Sequence, residues 1–273
     1  MSVKINNIEF GNDTFPNNER IFNSIPWQAC ARGFVSIDFK YENDFDIWKL
    51  IMAKKYLDDK FGDMVIVLNM LYVPYSRMDR EIEGYVFSLK YFCELINDLK
   101  FSQIKIFDAH SGVTEALLKR AIKIDVQNYI NIVFDIEKPS FVFYPDVGAM
   151  KRYSEILKFP EEVKIFYGNK KRDLSTGKIQ KFELIDCPED IIDKKVLIVD
   201  DLCCKGGTFM ASAKLIKEAG ASNVSLYVSH CEDSIYDGEI IKSDLIDKVY
   251  TTDSLLTDNK SEKIVVISSN KKE

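Results

Sequence analysis

The stretch "VLIVDDLCCKGGTFMASAKLIKEAG", from Val196 to Gly220, decides the fold class. Four apolar residues lead into two adjacent carboxylates, Asp200 and Asp201, and a glycine pair precedes a segment of helical period. This pattern predicts a buried strand, a turn whose backbone can approach a ligand, and a helix from Thr208 to Ala219. The first N–H groups of such a helix are unpaired and suit a phosphate. We expect one apolar helix face to pack on the sheet, formed by Phe209, Ala213 and Ile216.

The two adjacent acids need an explanation of their own. Buried carboxylates without partners are costly, so Asp200 and Asp201 cannot both serve folding alone. The paired hydroxyls of a ribose would satisfy them. The alternative is an ordinary strand, turn and helix in which both acids face the solvent.

Short β-rich runs alternate with longer helical segments along the chain, which predicts an α/β fold with mainly parallel sheets flanked by helices. The predicted strands are Met64–Val73, Ile104–Asp108, Phe141–Tyr144, Val163–Tyr167, Val196–Asp200, Val224–Val228, Lys248–Thr251 and Ile264–Ile267. The predicted helices are Phe45–Asp59, Gly84–Leu99, Val113–Ala121, Met150–Leu157, Thr208–Ala219 and Ser234–Lys242. A polar stretch, "DVQNYIN" (Asp125–Asn131), separates two sets of elements of similar size and predicts domains at 1–127 and 128–273.

The composition of the chain limits which kinds of molecule we expect it to bind. The chain has 273 residues, 46% of them hydrophobic, and its 37 basic and 43 acidic residues give a formal charge of −6. Because no global positive field exists, we expect neither a nucleic acid nor an anionic membrane as partner, and any anionic ligand must be held locally. The six cysteines form no C-x-x-C pair, and no signal-like apolar stretch opens the sequence. We therefore expect reduced thiols in a cytoplasmic protein without a membrane segment.

Seven segments together carry a family resemblance. "VLIVDDLCCKGGTF" resembles the phosphoribosyl-diphosphate loop of type I phosphoribosyltransferases and of ribose-phosphate pyrophosphokinases (PRPP synthetases). Six more segments resemble pyrophosphokinase motifs and stand in the same order as in that family. They are "FPNNE" (Phe15–Glu19), "PYSRMDR" (Pro74–Arg80), "FDAH" (Phe107–His110), "YPDVGAMKR" (Tyr144–Arg152), "NKKR" (Asn169–Arg172) and "VYTTDS" (Val249–Ser254). The resemblance implies two phosphoribosyltransferase-like domains.

The resemblance implies transfer of the β,γ-diphosphate of Mg-ATP to the anomeric hydroxyl of ribose 5-phosphate, giving PRPP and AMP. Mg²⁺ is then the cofactor, and a homodimer or higher homo-oligomer is expected because the "FPNNE" loop of the family completes the ATP site of a neighbouring subunit. The implied catalytic residues are Lys170 and Arg172. The implied ATP-binding residues are Phe15, Asn17, Glu19, Arg77, Asp79 and His110, and the metal ligands are His110 and Asp146. The implied ribose-phosphate residues are Asp200, Asp201, Cys204, Lys205, Gly206, Gly207 and Thr208.

The chemistry of several residues agrees with these roles, and each also has a plainer interpretation. Phe15 could stack on adenine, or it could be the one buried aromatic of a loop. His110 could ligate the metal of ATP, or it could be a hydrogen-bonded structural histidine. Asp146 offers a hard oxygen ligand, but aspartate after proline also forms turns.

The cationic positions have two interpretations as well. Lys170 and Arg172 lie in a polar run between Gly168 and Gly177, so a mobile loop could bring both cations over a transferring phosphoryl group. The alternative is a solvated charged face. The planar guanidinium of Arg77 could donate paired hydrogen bonds to the phosphates or base of ATP. Alternatively, Arg77 could be a surface arginine after a strand.

Three departures from the family pattern leave the acceptor open. Met78 stands where the family usually has glutamine, and Cys204 and Lys205 replace the usual acid and threonine of the loop. The 5′ pocket has thus lost a carboxylate and gained a cation. Short variants with such a loop resemble proteins paired with nicotinamide phosphoribosyltransferase in NAD salvage, some of which are thought to use ADP-ribose.

Two further hypotheses stand beside a pyrophosphokinase acting on ribose 5-phosphate or ADP-ribose. A base-using phosphoribosyltransferase is disfavoured because that family lacks "PYSRMDR" and "FPNNE". A catalytically silent regulatory subunit is disfavoured because the chain retains Lys170, Arg172, His110 and Asp146.

Overall fold

The structure is a computed structural model that describes residues 2–11, 13–30, 33–62, 64–172 and 179–268. The chain divides into two compact units, Met1–Asp125 and Val126–Glu273. Each unit is built on its own mainly parallel sheet with helices. The predicted α/β fold class is therefore confirmed. Among the helices of the described ranges, none has both the length and the apolar composition to cross a bilayer.

The first unit contains a six-stranded sheet in the order β2-β1-β5-β6-β7-β8 and a separate two-stranded ribbon, β3-β4. Strands β5 to β8 are parallel neighbours, and β1 pairs antiparallel with β5. The strands are β1 Val3–Ile5, β2 Ile8–Glu9, β3 Asp13–Thr14, β4 Arg20–Ile21, β5 Phe34–Phe39, β6 Val65–Met70, β7 Gln103–Phe107 and β8 Ala121–Ile124. The helices are α1 Phe45–Phe61, α2 Ser88–Asp98 and α3 Gly112–Leu117.

The second unit contains a seven-stranded sheet in the order β11-β10-β9-β12-β13-β14-β15, parallel except for the β10–β11 hairpin. The strands are β9 Phe141–Tyr144, β10 Lys164–Arg172, β11 Ile179–Ile185, β12 Lys195–Cys203, β13 Asn223–Cys231, β14 Lys248–Thr252 and β15 Ile264–Ile267. The helices are α4 Gln127–Glu137, α5 Val147–Ile156 and α6 Gly207–Glu218.

The stretch Val196–Gly220 folds as its pattern predicts. All four residues from Val196 to Val199 are fully buried, as expected for an inner strand of a parallel sheet covered on both faces. Strand β12 lies between β9 and β13 and is followed by α6. The predicted packing face of α6 is confirmed, since the following three residues are buried in the core: Phe209, Ala213 and Ile216.

The order of strands reverses direction between β9 and β12. From β9 the chain continues through α5 to β10 on one side, whereas from β12 it continues through α6 to β13 on the other side. The carboxyl ends of β9 and β12 are therefore neighbours at a topological switch point, which is where open α/β sheets form ligand crevices.

Four predicted elements differ in the structure. The polar stretch Asp125–Asn131, predicted only as a domain boundary, runs into a helix that was not predicted, α4, whose inner face carries the buried Ile130 and Val133. The predicted helix Val113–Ala121 ends at Leu117, and the chain turns through Arg120, at φ 61°, into β8. In place of a helix at Ser234–Lys242 there is a short 3₁₀ turn, Asp233–Asp237, which ends where the backbone becomes extended at Gly238.

The fourth difference concerns the predicted loop around Lys170 and Arg172. Strand β10 continues to Arg172, where Lys170 pairs with Phe182 and Arg172 with Ile179 of β11. The backbone of both residues thus belongs to a hairpin. Strand β5 and strand β8 were absent from the prediction altogether.

Candidate active site

The acid pair lies near the end of β12 and is bound by an arginine. Nη2 of Arg152, in α5, lies 3.3 Å from Oδ1 of Asp200 and 3.0 Å from Oδ1 of Asp201. The three side chains are 20%, 17% and 6% exposed. The interpretation in which both acids face the solvent is wrong, since their side chains are largely buried and Arg152 pairs with them. The interpretation in which ribose hydroxyls bind them stays a prediction.

Several charges act on Asp200 at once. Burial raises its pKa well above the ordinary value, and the adjacent Asp201 raises it further, while Arg152 lowers it. The carboxylate of Asp146 adds a smaller upward effect, so the ends of β9 and β12 form one electrostatic neighbourhood. Asp200 and Asp201 therefore share Arg152, and Asp146 adds negative charge nearby, a charge balance that favours a ligand bringing hydroxyl donors.

The loop that follows β12 leads directly into a helix N-terminus. Cys204 is half-buried, Lys205 is exposed, and Gly206 adopts a left-handed backbone at φ 79° as the N-cap of α6. Gly206 has no side chain to cap the helix, so the N-cap residue provides no side-chain acceptor for the first N–H groups of α6. The positive end of the helix dipole adds to this local attraction for an anion.

Asp146 begins α5 at the end of β9. Its Oδ1 accepts a hydrogen bond of 2.9 Å from the backbone N–H of Ala149, which makes it the N-cap of the helix. The turn-forming interpretation of this aspartate is therefore correct, but the cap uses one carboxylate oxygen only.

His110 lies in the first unit, exposed, between the end of β7 and the start of α3. In the part of the chain that the structure describes, no three His, Cys, Asp or Glu side chains are grouped as a metal cage would need. Mg²⁺ bound to ATP keeps its waters and phosphate oxygens and takes only one or two protein ligands. A metal role for His110 or Asp146 therefore stays a prediction, and the described residues contain no cage made by protein alone.

The "FPNNE" segment forms the tip of the β3–β4 ribbon. Phe15 is 53% exposed, so the alternative of a buried loop aromatic is wrong. Asn17 Oδ1 accepts from the N–H of Glu19 at 3.1 Å, and its Nδ2 lies 3.4 Å from Glu19 Oε2. The ribbon therefore presents an open aromatic face next to a linked amide and carboxylate.

The "PYSRMDR" segment turns sharply after β6. Tyr75 adopts φ 62°, and its hydroxyl donates to Oδ1 of Asp44 at 2.5 Å. The hydroxyl of Tyr41 donates to the same oxygen at 2.7 Å, and these two hydrogen bonds lower the pKa of Asp44. Burial, followed by the bond to Asp44, raises the pKa of Tyr75 to about 12. The turn leaves Arg77 exposed and Asp79 half-buried.

The side chains of Lys170 and Arg172 lie outside the described residues, as does the segment 173–178. The strand that carries them is close to the other motifs of its unit, because a Cβ at Gly168 would lie 2.6 Å from the carbonyl oxygen of Pro145. Glycine is thus required where β10 passes the turn that precedes Asp146.

Comparison with known proteins agrees with this arrangement. The family described as "Phosphoribosyl transferase domain" matches residues 113–264, more than half of the chain. The chain belongs to this family. Within the phosphoribosyl transferase family, a ribose-phosphate pyrophosphokinase of Hyphomonas neptunium is 28% identical over 81% of this chain and 75% of the relative. One from Sulfolobus acidocaldarius is 25% identical over 96% of this chain and 89% of the relative.

A solved structure extends the comparison to the fold. The phosphoribosylpyrophosphate synthetase of Mycobacterium smegmatis matches with a TM-score of 0.69 at 17% identity, over 96% of this chain and 87% of that chain. The resemblance to ribose-phosphate pyrophosphokinases that the ordered motifs indicated is confirmed at the level of family and fold.

Sequence reasoning missed Arg152 and Asp44 as members of these sites. Arg152 is the last residue of the quoted "YPDVGAMKR" motif, next to an exposed lysine, Lys151. Nothing local distinguishes the two cations, because only the packing of α5 against β12 turns one of them toward the acids.

Proposed function

We propose that this protein is an ATP-dependent diphosphotransferase that converts ribose 5-phosphate to PRPP with release of AMP. The observation that supports this most directly is the arrangement at the carboxyl ends of β9 and β12. There an arginine-bound acid pair stands beside a glycine loop that opens an uncapped helix N-terminus. Such a site suits a sugar with adjacent hydroxyls and a phosphoryl group.

In this reaction Asp200 and Asp201 accept hydrogen bonds from the ribose hydroxyls, and Arg152 holds both carboxylates in place. The loop from Lys205 to Thr208 binds the 5′-phosphoryl group. These contacts fix the anomeric hydroxyl for in-line attack on the β-phosphorus of ATP, so that much of the rate enhancement comes from positioning. The new bond joins the anomeric oxygen to the β-phosphorus, AMP leaves with the bridging oxygen, and the hydroxyl proton passes to water.

The first unit supplies the ATP-base and metal motifs in this proposal, and the second supplies the ribose-phosphate loop and the catalytic cations. Phe15 stacks on adenine while Asn17 and Glu19 meet its polar edge, and Arg77 donates to ATP. Asp79 and His110 complete the ATP residues. Mg²⁺ would supply charge neutralisation on the phosphates, and the proposed metal ligands are His110 of the first unit and Asp146 of the second.

Lys170 and Arg172 stabilise the charge that develops on the β-phosphoryl oxygens. Cations act most strongly on a transition state when they reach it from a hinged segment that excludes water. Replacing either residue by alanine provides the inactive control for the assays below.

The test is to incubate the protein with Mg-ATP and either ribose 5-phosphate or ADP-ribose and to identify the products by mass. Equal amounts of AMP and PRPP are expected with ribose 5-phosphate. ATP that stays intact with both acceptors would refute the proposal and leave the silent regulatory subunit as the remaining hypothesis.

ADP-ribose is the second candidate acceptor. The loop carries an exposed Lys205 and a half-buried Cys204 in place of an acid and a threonine, so no loop carboxylate repels a second phosphate. The diester phosphate of ADP-ribose carries one charge, which a single lysine can neutralise. A product with the mass of ADP-ribose plus diphosphate would establish this activity.

We further propose that the active species is a homo-oligomer in which the β3–β4 ribbon reaches the ATP site of a neighbouring copy. The exposed Phe15 and the linked Asn17 and Glu19 at its tip support this role. Sedimentation velocity combined with activity on dilution tests it, and a fully active monomer would contradict it.

A further inference from the structure

The segment 232–240, which follows β13, packs against the loop from Lys205 to Thr208 that we assign to the 5′-phosphoryl group. The backbone N–H of Glu232 donates to the carbonyl of Cys203 at 2.8 Å, which ties the two chain segments together. Further along, Gly238 is buried against the backbone of Lys205. A Cβ at residue 238 would lie 2.9 Å from the carbonyl carbon of Lys205 and closer still to its oxygen.

The next loop residue, Gly206, also lies against this segment. A Cβ at Gly206 would lie 2.7 Å from Cγ1 of Ile240, and Ile240 is fully buried. Two successive loop residues therefore touch this segment at positions where a single extra carbon has no space. Between them on the segment, Glu239 is exposed and takes no part in the contact.

The two contacts differ from ordinary core packing because one of them is made with backbone. A side chain that clashes with another side chain can change rotamer, whereas a clash with a carbonyl moves the main chain. Any larger residue at 238 must therefore displace Lys205, and with it the turn that opens α6. Gly206 adds a second constraint, since its left-handed backbone favours glycine.

We propose that Gly238 and Ile240 are positioning residues that hold the 5′-phosphoryl loop in its binding conformation before the substrate arrives. The inference rests on the proposed function, and it adds that affinity for the sugar phosphate depends on a segment distant from the loop in sequence. A loop that is already ordered loses less conformational freedom on binding, which strengthens the complex without any new contact.

The kinetic test compares Gly238→Ala with Glu239→Ala, a matched control on the adjacent exposed position. Displacing Lys205 should raise KM for ribose 5-phosphate by roughly tenfold or more, because small misplacements of binding groups are costly. KM for ATP should stay within about twofold, since ATP binds elsewhere. Glu239→Ala should match the natural protein in both constants.

A second readout needs no catalysis. Cys204 is half-buried beside Lys205, whereas Cys93 is buried in the first unit. We expect Gly238→Ala to change the rate of iodoacetamide labelling of Cys204 by about threefold or more, and to weaken its protection by ribose 5-phosphate without ATP. The labelling rate of Cys93, measured by mass spectrometry in the same sample, should not change, whereas general unfolding would raise both rates.

If Gly238→Ala does not fold, Ile240→Val replaces it, because valine removes only Cδ1 at the contact with Gly206. A KM for ribose 5-phosphate and a Cys204 labelling rate that both equal those of the natural protein, in the folded variant, would overturn the inference. If the natural protein turns over neither acceptor, the proposed reaction fails. The comparison of Cys204 labelling without ligand then still decides whether the segment positions the loop.

Discussion

Arg152→Met should make the stability of the protein depend on pH more steeply than that of the natural protein. The arginine pairs with two adjacent carboxylates, at 3.3 Å from Asp200 and 3.0 Å from Asp201. Removing it leaves both acids in a site where burial and their mutual repulsion already raise the pKa of Asp200. Because Arg152 lowers the pKa of Asp200 in the natural protein, that pKa should rise further in the folded variant.

The sign of the effect follows from proton binding. A carboxylate whose pKa is raised in the folded state binds more protons when folded than when unfolded, so stability falls as pH rises from about 4 toward the folded-state pKa. Breaking a fully buried ion pair costs roughly 3–5 kcal/mol. Because Arg152 and Asp200 keep some contact with water, we expect a loss of about 2 kcal/mol at pH 8 and under about 1 kcal/mol at pH 5.

The measurement is urea unfolding at both pH values, with Lys151→Met as the control because it removes an exposed cation from the same helix. The control should change the free energy of unfolding by less than about 0.5 kcal/mol at either pH. Equal losses for Arg152→Met at pH 5 and pH 8 would show that the arginine acts through packing and does not compensate the acids. In activity assays we expect KM for ribose 5-phosphate to rise about tenfold at pH 7, since a protonated acid accepts hydroxyls more weakly.

Three other variants test separate parts of the proposal. Lys170→Ala should lower kcat by roughly 100-fold with little change in KM for ATP, and a raised KM with kcat intact would limit the lysine to binding. Tyr75→Phe removes the hydroxyl that donates to Asp44, so denaturant titration should show a loss of about 1 kcal/mol, and steady-state assays a higher KM for ATP. Cys204→Asp with Lys205→Thr should shift kcat/KM toward ribose 5-phosphate over ADP-ribose, and an unchanged ratio would mean that the loop does not select the 5′ group.

The strands and helices that are easiest to predict from the sequence are those whose buried residues follow a regular spacing. Strand β12 is apolar at each position from Val196 to Val199 because both its faces are covered, and α6 shows its buried stripe at helical spacing. Helix α4 was missed since the polar residues of its outer face, among them Gln127 and Asn131, obscure the buried Ile130 and Val133. Strand β8 was missed because none of its four residues is buried and Lys123 interrupts its apolar residues, so it lacks the continuous apolar run that marks β15.

Some residues of the candidate site can be recognised from a short stretch of sequence, whereas others come together only when the chain folds. Gly206 and the acid pair could be located from sequence because a tight turn and a strand end restrict the residue types locally. Arg152 is 48 residues from Asp200 along the chain, and Gly238 meets Lys205 only through the path taken after β13. Such contacts depend on how helices and strands pack, and short windows of sequence do not contain that information.

The reversal of strand order at β9 and β12 has a consequence for sequence drift. The crevice exists because two crossovers leave the sheet in opposite directions, so its location depends on the path of the backbone more than on any particular side chain. Substitutions can then accumulate across most of the strands and helices without moving the site, consistent with a TM-score of 0.69 at 17% identity to the mycobacterial structure. The short loop between Cys203 and Phe209 can diverge on its own, and a chimaera carrying that loop from a relative should retain the sheet while acquiring a different preference for the sugar phosphate.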